Sequence, residues 1–255
     1  MSKPVNTRIA DRGVELRPFD TTGSQDDMVA ALKDIDILIS SIAPFDQLQQ
    51  IPMATAARAA GVKVFVPCAY ITVMPVGVHT LRDQKEEVYN HIKRLNLPYI
   101  IVDVGWWYQI SFPELPSGKI DYAVGIPGQS IAGDGNVPSA LTDLRDIGPY
   151  VARLIKDDRA LNKYVLVYNE MWTPHQVYDL LEKLSGEKLP RTYDSLEVLD
   201  KRIEDGLVKL KEDPTNFSYG LQVVGSQYRR SWGEFIQPSP VHYDVRHADP
   251  CASYF

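Results

Sequence analysis

Cysteine is scarce in this chain, with only Cys68 and Cys251 among 255 residues. That number excludes a fold held together by several disulfide bonds, and it is typical of a protein that works in a reducing, cytoplasmic compartment. No apolar run approaches the roughly 18 residues needed to cross a bilayer, and no signal peptide opens the chain. We therefore expect no membrane segment.

Positive charge is also limited, because 27 Lys and Arg residues face 33 Asp and Glu residues, for a net charge of −6. Nucleic-acid binding needs clustered Lys and Arg, so this balance argues against a nucleic-acid partner. His242, His247 and Cys251 lack the spacing of a metal site, and we predict no metal. An apolar content of 44% nevertheless indicates a globular protein with a buried core.

The usual phosphate-binding and nucleophile motifs are missing as well. The sequence contains no G-x-G-x-x-G, no Walker loop and no G-x-S-x-G. Gly133 and Gly135 are followed by Asn136, Val137 and Pro138, so no helix begins there to present its amides to a pyrophosphate. The chain therefore lacks the ordinary loop for gripping a dinucleotide.

What the chain does have is a clear helix–strand unit at residues 81–107. Val88, Ile92 and Leu95 recur at helical spacing, which predicts one apolar face. After Pro98, residues 99–102 form an apolar β-branched run typical of a parallel strand that is covered on both faces.

Strands and helices alternate along the rest of the chain, which predicts an α/β fold with a parallel sheet. The predicted strands are residues 14–19, 35–41, 63–67, 99–102, 120–124, 140–142 and 164–168. The predicted helices are residues 25–34, 46–60, 81–97, 146–156, 173–184 and 194–212.

Several segments together resemble the isoflavone reductase-like and NmrA-like family, whose members are atypical short-chain dehydrogenases that use NADPH. The resemblance covers roughly residues 2–233, is closest to fungal members, and depends on Lys85 in its helix, the Pro98–Tyr99 entry to the next strand, the aromatic segment ending at Trp107, and residues 56–67 and 133–148. It implies a Rossmann-like parallel sheet with a smaller C-terminal α+β substrate lobe. It also implies bound NADP(H) and a small aromatic or polyketide-like substrate.

Compared with that family, the resemblance begins about one β-α-β unit late. We expect residues 1–112 to form an N-terminally truncated Rossmann-like domain, residues 113–233 a substrate lobe, and residues 234–255 an irregular tail. Both ends look altered, as in a truncated or mis-spliced reading frame. Because the Gly-rich loop is missing, we predict weak or lost NADP(H) binding. We expect residues 14–19 either to pair with strand 35–41 or to remain unpaired. Strand 35–41 should otherwise present an exposed edge that promotes association with other strands.

The resemblance nominates Lys85 as the catalytic residue, near the nicotinamide ribose. The Tyr-x-x-x-Lys pair of ordinary short-chain dehydrogenases is absent, since Leu81 stands at the tyrosine position. The alternative is a surface lysine paired with a neighbouring Asp or Glu.

The ends of the parallel strands nominate the binding residues, because ligands of open α/β sheets bind there. The predicted cofactor-binding residues are Asp20, Thr21, Ser41, Ile42, Ala43, Pro67, Cys68, Lys85, Val104 and Gly105. The predicted substrate-binding residues are Tyr70, Trp106, Trp107 and Tyr108. The family usually has Ser-Glu-Phe where this chain has Cys68, Ala69 and Tyr70. For each of these residues the alternative is ordinary loop or core packing.

The leading functional hypothesis is an NADPH-dependent reductase of a small aromatic metabolite, in which Lys85 assists proton transfer. One alternative is a regulator that senses dinucleotide and binds a protein partner or a second copy of the chain. Another is a cofactor-independent isomerase or lyase that uses the same pocket and lysine.

Overall fold

The fold is that of a computed structural model that describes residues 8–71, 73–124, 130–213 and 217–234. The strands are β1 (Ile37–Ile39), β2 (Val64–Val66), β3 (Ile100–Asp103), β4 (Trp106–Trp107), β5 (Ile131–Ala132), β6 (Ser139–Thr142), β7 (Lys163–Leu166), β8 (Glu170–Trp172) and β9 (Tyr193–Asp194). The α-helices are α1 (Gln25–Ala31), α2 (Gln50–Ala60), α3 (Thr80–Arg94), α4 (Tyr108–Ser111), α5 (Leu144–Leu154), α6 (Pro174–Ser185), α7 (Leu196–Glu212) and α8 (Phe217–Glu234). The described residues also form short 3₁₀ helices at Pro44–Gln49, Asp121–Ala123 and Asp158–Ala160.

Within the described residues, four parallel strands form the central sheet in the order β1-β2-β3-β7. β1 pairs with β2, a bridge between Phe65 and Tyr99 continues the sheet to β3, and β3 pairs with β7. Side chains alternate between the faces of the sheet, so Phe65 and Ile101 join the core under α2 and α3, while Val66 and Val102 join the core under α5. The prediction of a parallel α/β fold is confirmed.

The predicted lysine helix is α3, and its sequence explains both of its ends. The ring Nδ1 of His79 accepts a hydrogen bond from the amide of Leu81 at 3.0 Å and caps the start of the helix. Val88 and Ile92 are fully buried on its inner face. After the helix, Asn96 adopts a left-handed conformation with φ of 49° and turns the chain towards β3. The 3.6-residue pattern therefore predicted the inner face correctly.

Beyond β3 the chain leaves the main sheet for a smaller, mixed region. β4, β6 and β8 form a three-stranded sheet in which β4 and β6 are parallel and β6 and β8 are antiparallel. Helix α6 packs on this sheet and begins with a capping box between Thr173 and Gln176, with Pro174 at its first turn. Helices α7 and α8 pack against each other. This arrangement matches the expected α+β lobe, although its boundary at residue 113 stays a prediction.

Two predicted strands are wrong. Residues 14–19 form no strand; the guanidinium of Arg17 instead donates to the carbonyls of Ala31 and Lys33 at the end of α1, at 3.2 and 2.8 Å. Residues 121–123 form a 3₁₀ helix, and the Tyr122 side chain is 91% exposed rather than packed on a sheet. In both places local hydrogen bonds replace a neighbouring strand. Residues 125–129 and the tail from 235 onwards lie outside the described residues.

Strand β1 lies at the edge of the central sheet, and within the described residues β2 is its sole partner strand. Its last residue, Ile39, is 43% exposed. Among the same residues, no helix has both the length and the apolarity that crossing a membrane requires.

We expect the Ile39→Lys variant to aggregate more slowly on warming than the wild type, because an edge lysine opposes edge-to-edge pairing. Its free energy of unfolding should change by less than about 0.5 kcal/mol, as for most exposed positions. Light scattering and urea denaturation measure the two effects. The matched control is Val76→Lys, at a loop residue that is 57% exposed. Equal slowing by both variants would show that added charge, rather than the strand edge, is responsible.

Candidate functional site

The amine of Lys85 is buried at the carboxyl end of the central sheet. The residue is 2% exposed, and its Nζ donates to the side-chain oxygen of Gln47 at 2.9 Å and to the backbone carbonyl of Cys68. Cys68 lies two residues beyond the end of β2. The alternative of a surface lysine is therefore excluded, and the amine lies at the edge where open α/β sheets bind ligands.

Two buried glutamines connect this lysine to the backbone. The Gln47 side chain donates to the carbonyl of Ala43 at 3.0 Å, and its oxygen also accepts from Gln50 at 3.1 Å. The Gln50 oxygen in turn accepts from the amide of Cys68 at 2.7 Å. Because Gln47 and Gln50 are 1% and 0% exposed, these bonds form a closed polar cluster. We call Gln47, Gln50, Cys68 and Lys85 the lysine cluster.

Sequence reasoning missed both glutamines, although one of them carries a signal. Gln50 precedes Met53, Ala54 and Ala57 by three, four and seven residues, so it lies on the buried stripe of α2. A polar residue on such a stripe needs a hydrogen-bonding partner inside the protein. Gln47 lies in a 3₁₀ helix, where no comparable periodicity exists.

Burial shifts the protonation of the groups around the amine. It lowers the pKa of Lys85 to about 8, with Arg82 acting in the same direction and Cys68 and Asp103 acting against it. Burial, and then the charge of Lys85, lowers the pKa of His79 to about 4. Burial raises the pKa of Asp103 to about 6, although Arg82 and Lys85 oppose this shift. At pH 7 the lysine is therefore mostly an ammonium that loses its proton readily, and His79 is neutral.

Most of the predicted cofactor-binding residues lie beyond the carboxyl ends of β1, β2 and β3. The carbonyl of Ile42 accepts from the Cys68 thiol at 3.6 Å, and Ser41, Ile42 and Ala43 begin two residues beyond the end of β1. Pro67 directly follows β2. At the end of β3, the amide of Val104 donates to Ile71 at 3.0 Å, and Gly105 comes next. Their cofactor-binding roles stay predictions.

Asp20 and Thr21, predicted for the adenine side, lie at the margin of the cluster. The Thr21 hydroxyl bonds the side chain of Gln49, in the same 3₁₀ helix as Gln47. The exposed Asp20 carboxylate accepts from the amide and hydroxyl of Thr22, at 2.8 and 2.7 Å. Of the two residues, Thr21 therefore has a hydrogen bond to the 3₁₀ helix that carries Gln47.

The polar groups of Ser40 and Lys85 fit the nicotinamide-ribose end of a dinucleotide. The hydroxyl of Ser40, at the end of β1, is buried and has no hydrogen-bonding partner within the described part of the chain. Lys85 has three donors and uses two of them in the lysine cluster. These groups fit a polar ribose or nicotinamide amide. The pyrophosphate end has no Gly-rich loop in this sequence.

The four predicted substrate-binding residues do not line a common surface, because they belong to two different packing clusters. Trp106 pairs with Leu141 and packs against Val177 on the α6 side of the small sheet. Trp107 packs on the opposite face, against the core of the main sheet, where Tyr70 also lies. Successive residues of a strand point to opposite faces, which explains the separation of the two indoles.

Tyr108 lines an apolar cleft of about 300 Å³ on the α6 side. Its ring stacks on Phe112 with centroids 5.7 Å apart, and its hydroxyl donates to the Glu170 carboxylate at 3.3 Å. The cleft is lined by Tyr108, Phe112, Leu141, Glu170, Trp172, Val177, Leu180, Leu181 and Leu184. Its size is at the lower end of the range for small-molecule sites.

The sequence is similar to a family profile and to the sequences of named proteins. A profile described as the NmrA-like family matches residues 2–224. The asnovolin J 5',6'-dehydrogenase nvfM of Aspergillus novofumigatus is 43% identical over 219 residues, which are 85% of this chain and 67% of that protein. Pinoresinol reductase 1 of Arabidopsis thaliana is 30% identical over 234 residues, which are 86% of this chain and 73% of that protein.

The fold is also similar to that of a solved structure. The binary complex of leucoanthocyanidin reductase with NADPH, from Vitis vinifera, superposes with a TM-score of 0.74. The match covers 99% of this chain and 84% of the reductase, at 21% sequence identity. At that identity the likeness concerns the fold.

Proposed function

The chain belongs to the NmrA-like family, as the resemblance predicted, and on that premise we propose that it is an NADPH-dependent oxidoreductase of a small aromatic secondary metabolite. The observation that carries the proposal is the position of Lys85, whose amine is buried at the carboxyl end of β2. A buried lysine with a lowered pKa, at the ligand edge of a parallel sheet, suits acid–base chemistry.

The relatives support the choice of reaction class. Those named above are a dehydrogenase and a reductase, and the solved structure of similar fold is a reductase in complex with NADPH. When bound, NADPH supplies a hydride. The protein must then supply a proton to the reduced substrate, and Lys85, buried at the sheet edge with a pKa lowered to about 8, is suited to give it.

The residues of the lysine cluster have different roles in the proposed reaction. The third N–H of the Lys85 ammonium, which the cluster leaves free, donates the proton to the reduced substrate. The carbonyl of Cys68 and the side chain of Gln47 hold the amine in place. The neighbouring strand ends, Ser41 to Ala43 and Val104–Gly105, close the site against water.

The substrate is a small, largely apolar molecule with an aromatic ring. Tyr70 and Trp107 lie on the face of the small sheet that meets the main core, while Trp106 and Tyr108 lie on the α6 face. We assign Tyr70 and Trp107 to the part of the substrate nearest Lys85. Tyr108, with the cleft beside it, takes the part that extends away from the reacting centre.

Weak cofactor affinity belongs to the same proposal, since this sequence has no Gly-rich loop to bind the pyrophosphate. A cytoplasmic setting, the absence of a nucleic-acid partner and assembly into a homo-oligomer are further parts of it. They rest on the low cysteine content, the net charge of −6 and the exposed edge of β1.

Transfer of deuterium tests the reaction class. We expect the purified chain, at millimolar NADPH deuterated at C4, to place one deuterium in an aromatic substrate drawn from a panel of enones, benzylic ethers and hydroxylated polycycles. Both C4 stereoisomers are needed, and mass spectrometry detects the product. An isomer of unchanged mass would instead support the isomerase or lyase alternative. Cofactor binding with no product across the panel would support the regulator.

A further inference from the structure

We propose that Gln47 is a positioning residue that fixes the direction in which Lys85 gives up its proton. The inference rests on the proposed function for its catalytic meaning, but the contact on which it depends can be tested without the cofactor. It concerns a residue that lies outside the predicted site, in the 3₁₀ helix after β1.

The orientation of the Gln47 amide is determined by its neighbours. Its nitrogen donates to the carbonyl of Ala43 at 3.0 Å, and its oxygen accepts from both Gln50 at 3.1 Å and Lys85 at 2.9 Å. If the amide were flipped, its nitrogen would face two donors and its oxygen would face a carbonyl. The oxygen therefore points towards the lysine.

Both groups that hold the Lys85 amine are pure acceptors, namely the Gln47 oxygen and the Cys68 carbonyl. A neutral amine has two N–H groups and one lone pair, and an ammonium has three N–H groups. The two acceptors bind two N–H groups in either state. The proton that is gained or lost must then occupy the third substituent position on the nitrogen, so one direction is reserved for proton transfer.

Other charged and titratable groups influence the amine without fixing that direction. Asp103 and Arg82 act on it through their charges, and Arg82 is held by Glu86 at 2.8 Å. His79 caps α3 through Nδ1. The thiol of Cys68 donates towards the Ile42 carbonyl at 3.6 Å. The Gln47 side chain, by contrast, accepts a hydrogen bond from the amine itself.

The test is a direct titration of Lys85 in the cofactor-free protein, by NMR of ¹³C-labelled lysine side chains. The signal of Lys85 is identified by its absence from the spectrum of Lys85→Arg. We expect Gln47→Glu to raise the pKa of Lys85 by more than about one unit, because a buried carboxylate then faces the ammonium. Gln47→Met should lower this pKa, because it removes an acceptor that the charged form uses.

Gln49→Glu is the matched control, since it adds the same charge two residues away in the same 3₁₀ helix. Gln49 donates to Asp46 at 2.9 Å rather than bonding the lysine. We expect Gln49→Glu to shift the pKa of Lys85 by less than half as much as Gln47→Glu does. Equal shifts from the two variants, or none from either Gln47 variant, would overturn the inference.

Turnover supplies the second readout. For Gln47→Met we expect kcat to fall by about 10-fold or more while KM for NADPH stays within about twofold, because loss of orientation affects proton transfer rather than binding. A fall in kcat/KM that comes from a higher KM alone, with kcat unchanged, would overturn the positioning role. If the wild type has no turnover, the proposed function fails, whereas the titration still decides whether Gln47 holds the amine. Circular dichroism shows which variants fold, and Gln47→Glu serves if Gln47→Met does not.

Discussion

Lys85→Met is expected to reduce NADPH-dependent turnover by about 10²- to 10⁴-fold, the usual contribution of a positioned general acid. Methionine has nearly the same length as lysine but cannot carry a proton, so it fills the buried space while removing the chemistry. The measurement is kcat at saturating substrate, with the deuterium-transfer assay as the detection. Retention of more than about a tenth of the wild-type rate would be too much for a residue in this role.

The Lys85→Met variant should fold, because the substitution has two opposing effects on the free energy of unfolding. Removing a buried ammonium relieves the desolvation that lowers the pKa of Lys85 to about 8. Against this, the Cys68 carbonyl loses a donor, which costs about 1 to 3 kcal/mol for a buried acceptor. The control is Lys63→Met, at a side chain that is 74% exposed and pairs with Asp36 on the surface. It should leave turnover unchanged.

The pH dependence should have a definite sign. If Lys85 donates the proton, the wild-type rate falls as pH rises through about 8, because the amine loses its proton there. Stability should change in the opposite direction. The unfolded chain keeps a lysine pKa near 10.5 and binds the extra proton between about pH 8 and 10.5, so the wild type becomes more stable with rising pH in that window. Lys85→Met should lack this rise. Urea denaturation at several pH values measures it.

The sequence predicted those parts of the fold whose burial is periodic. Val88 and Ile92 recur at helical spacing, and residues 99–102 form a continuous apolar run, so α3 and β3 were predicted correctly. The prediction for residues 14–19 failed because strand propensity has no effect without a neighbouring strand, and Arg17 bonds the end of α1 instead.

The candidate site was predictable only in part. The family motif nominated Lys85, and the structure places that residue at the sheet edge. The motif could not show that Gln47, 38 residues earlier in the chain, holds the amine, because that contact exists only after β1 and β2 have paired. It also grouped Trp106 with Trp107, which a two-residue strand sends to opposite faces.

The second large effect concerns Gly105, which sequence reasoning assigned to cofactor binding. In the structure it has φ of +70°, and a Cβ at this position would lie 2.7 Å from the Ala140 Cβ and 2.8 Å from the Ala140 carbonyl carbon. We expect Gly105→Ala to lower the free energy of unfolding by about 2 to 6 kcal/mol. Backbone strain contributes roughly 1 to 3 kcal/mol, and overpacking contributes about as much again.

Gly133→Ala separates these two contributions. Gly133 has φ of +60°, but an added Cβ would meet nothing within 4 Å, so only the backbone strain of about 1 to 3 kcal/mol applies. Urea denaturation followed by tryptophan fluorescence compares the two variants, and equal losses would show that the approach of Gly105 to Ala140 carries no energy. A larger loss at Gly105 would show that the close approach of the chain between β3 and β4 to Ala140 stabilises the fold. In that case the glycine at this position serves the fold first, and any contact with a cofactor depends on it.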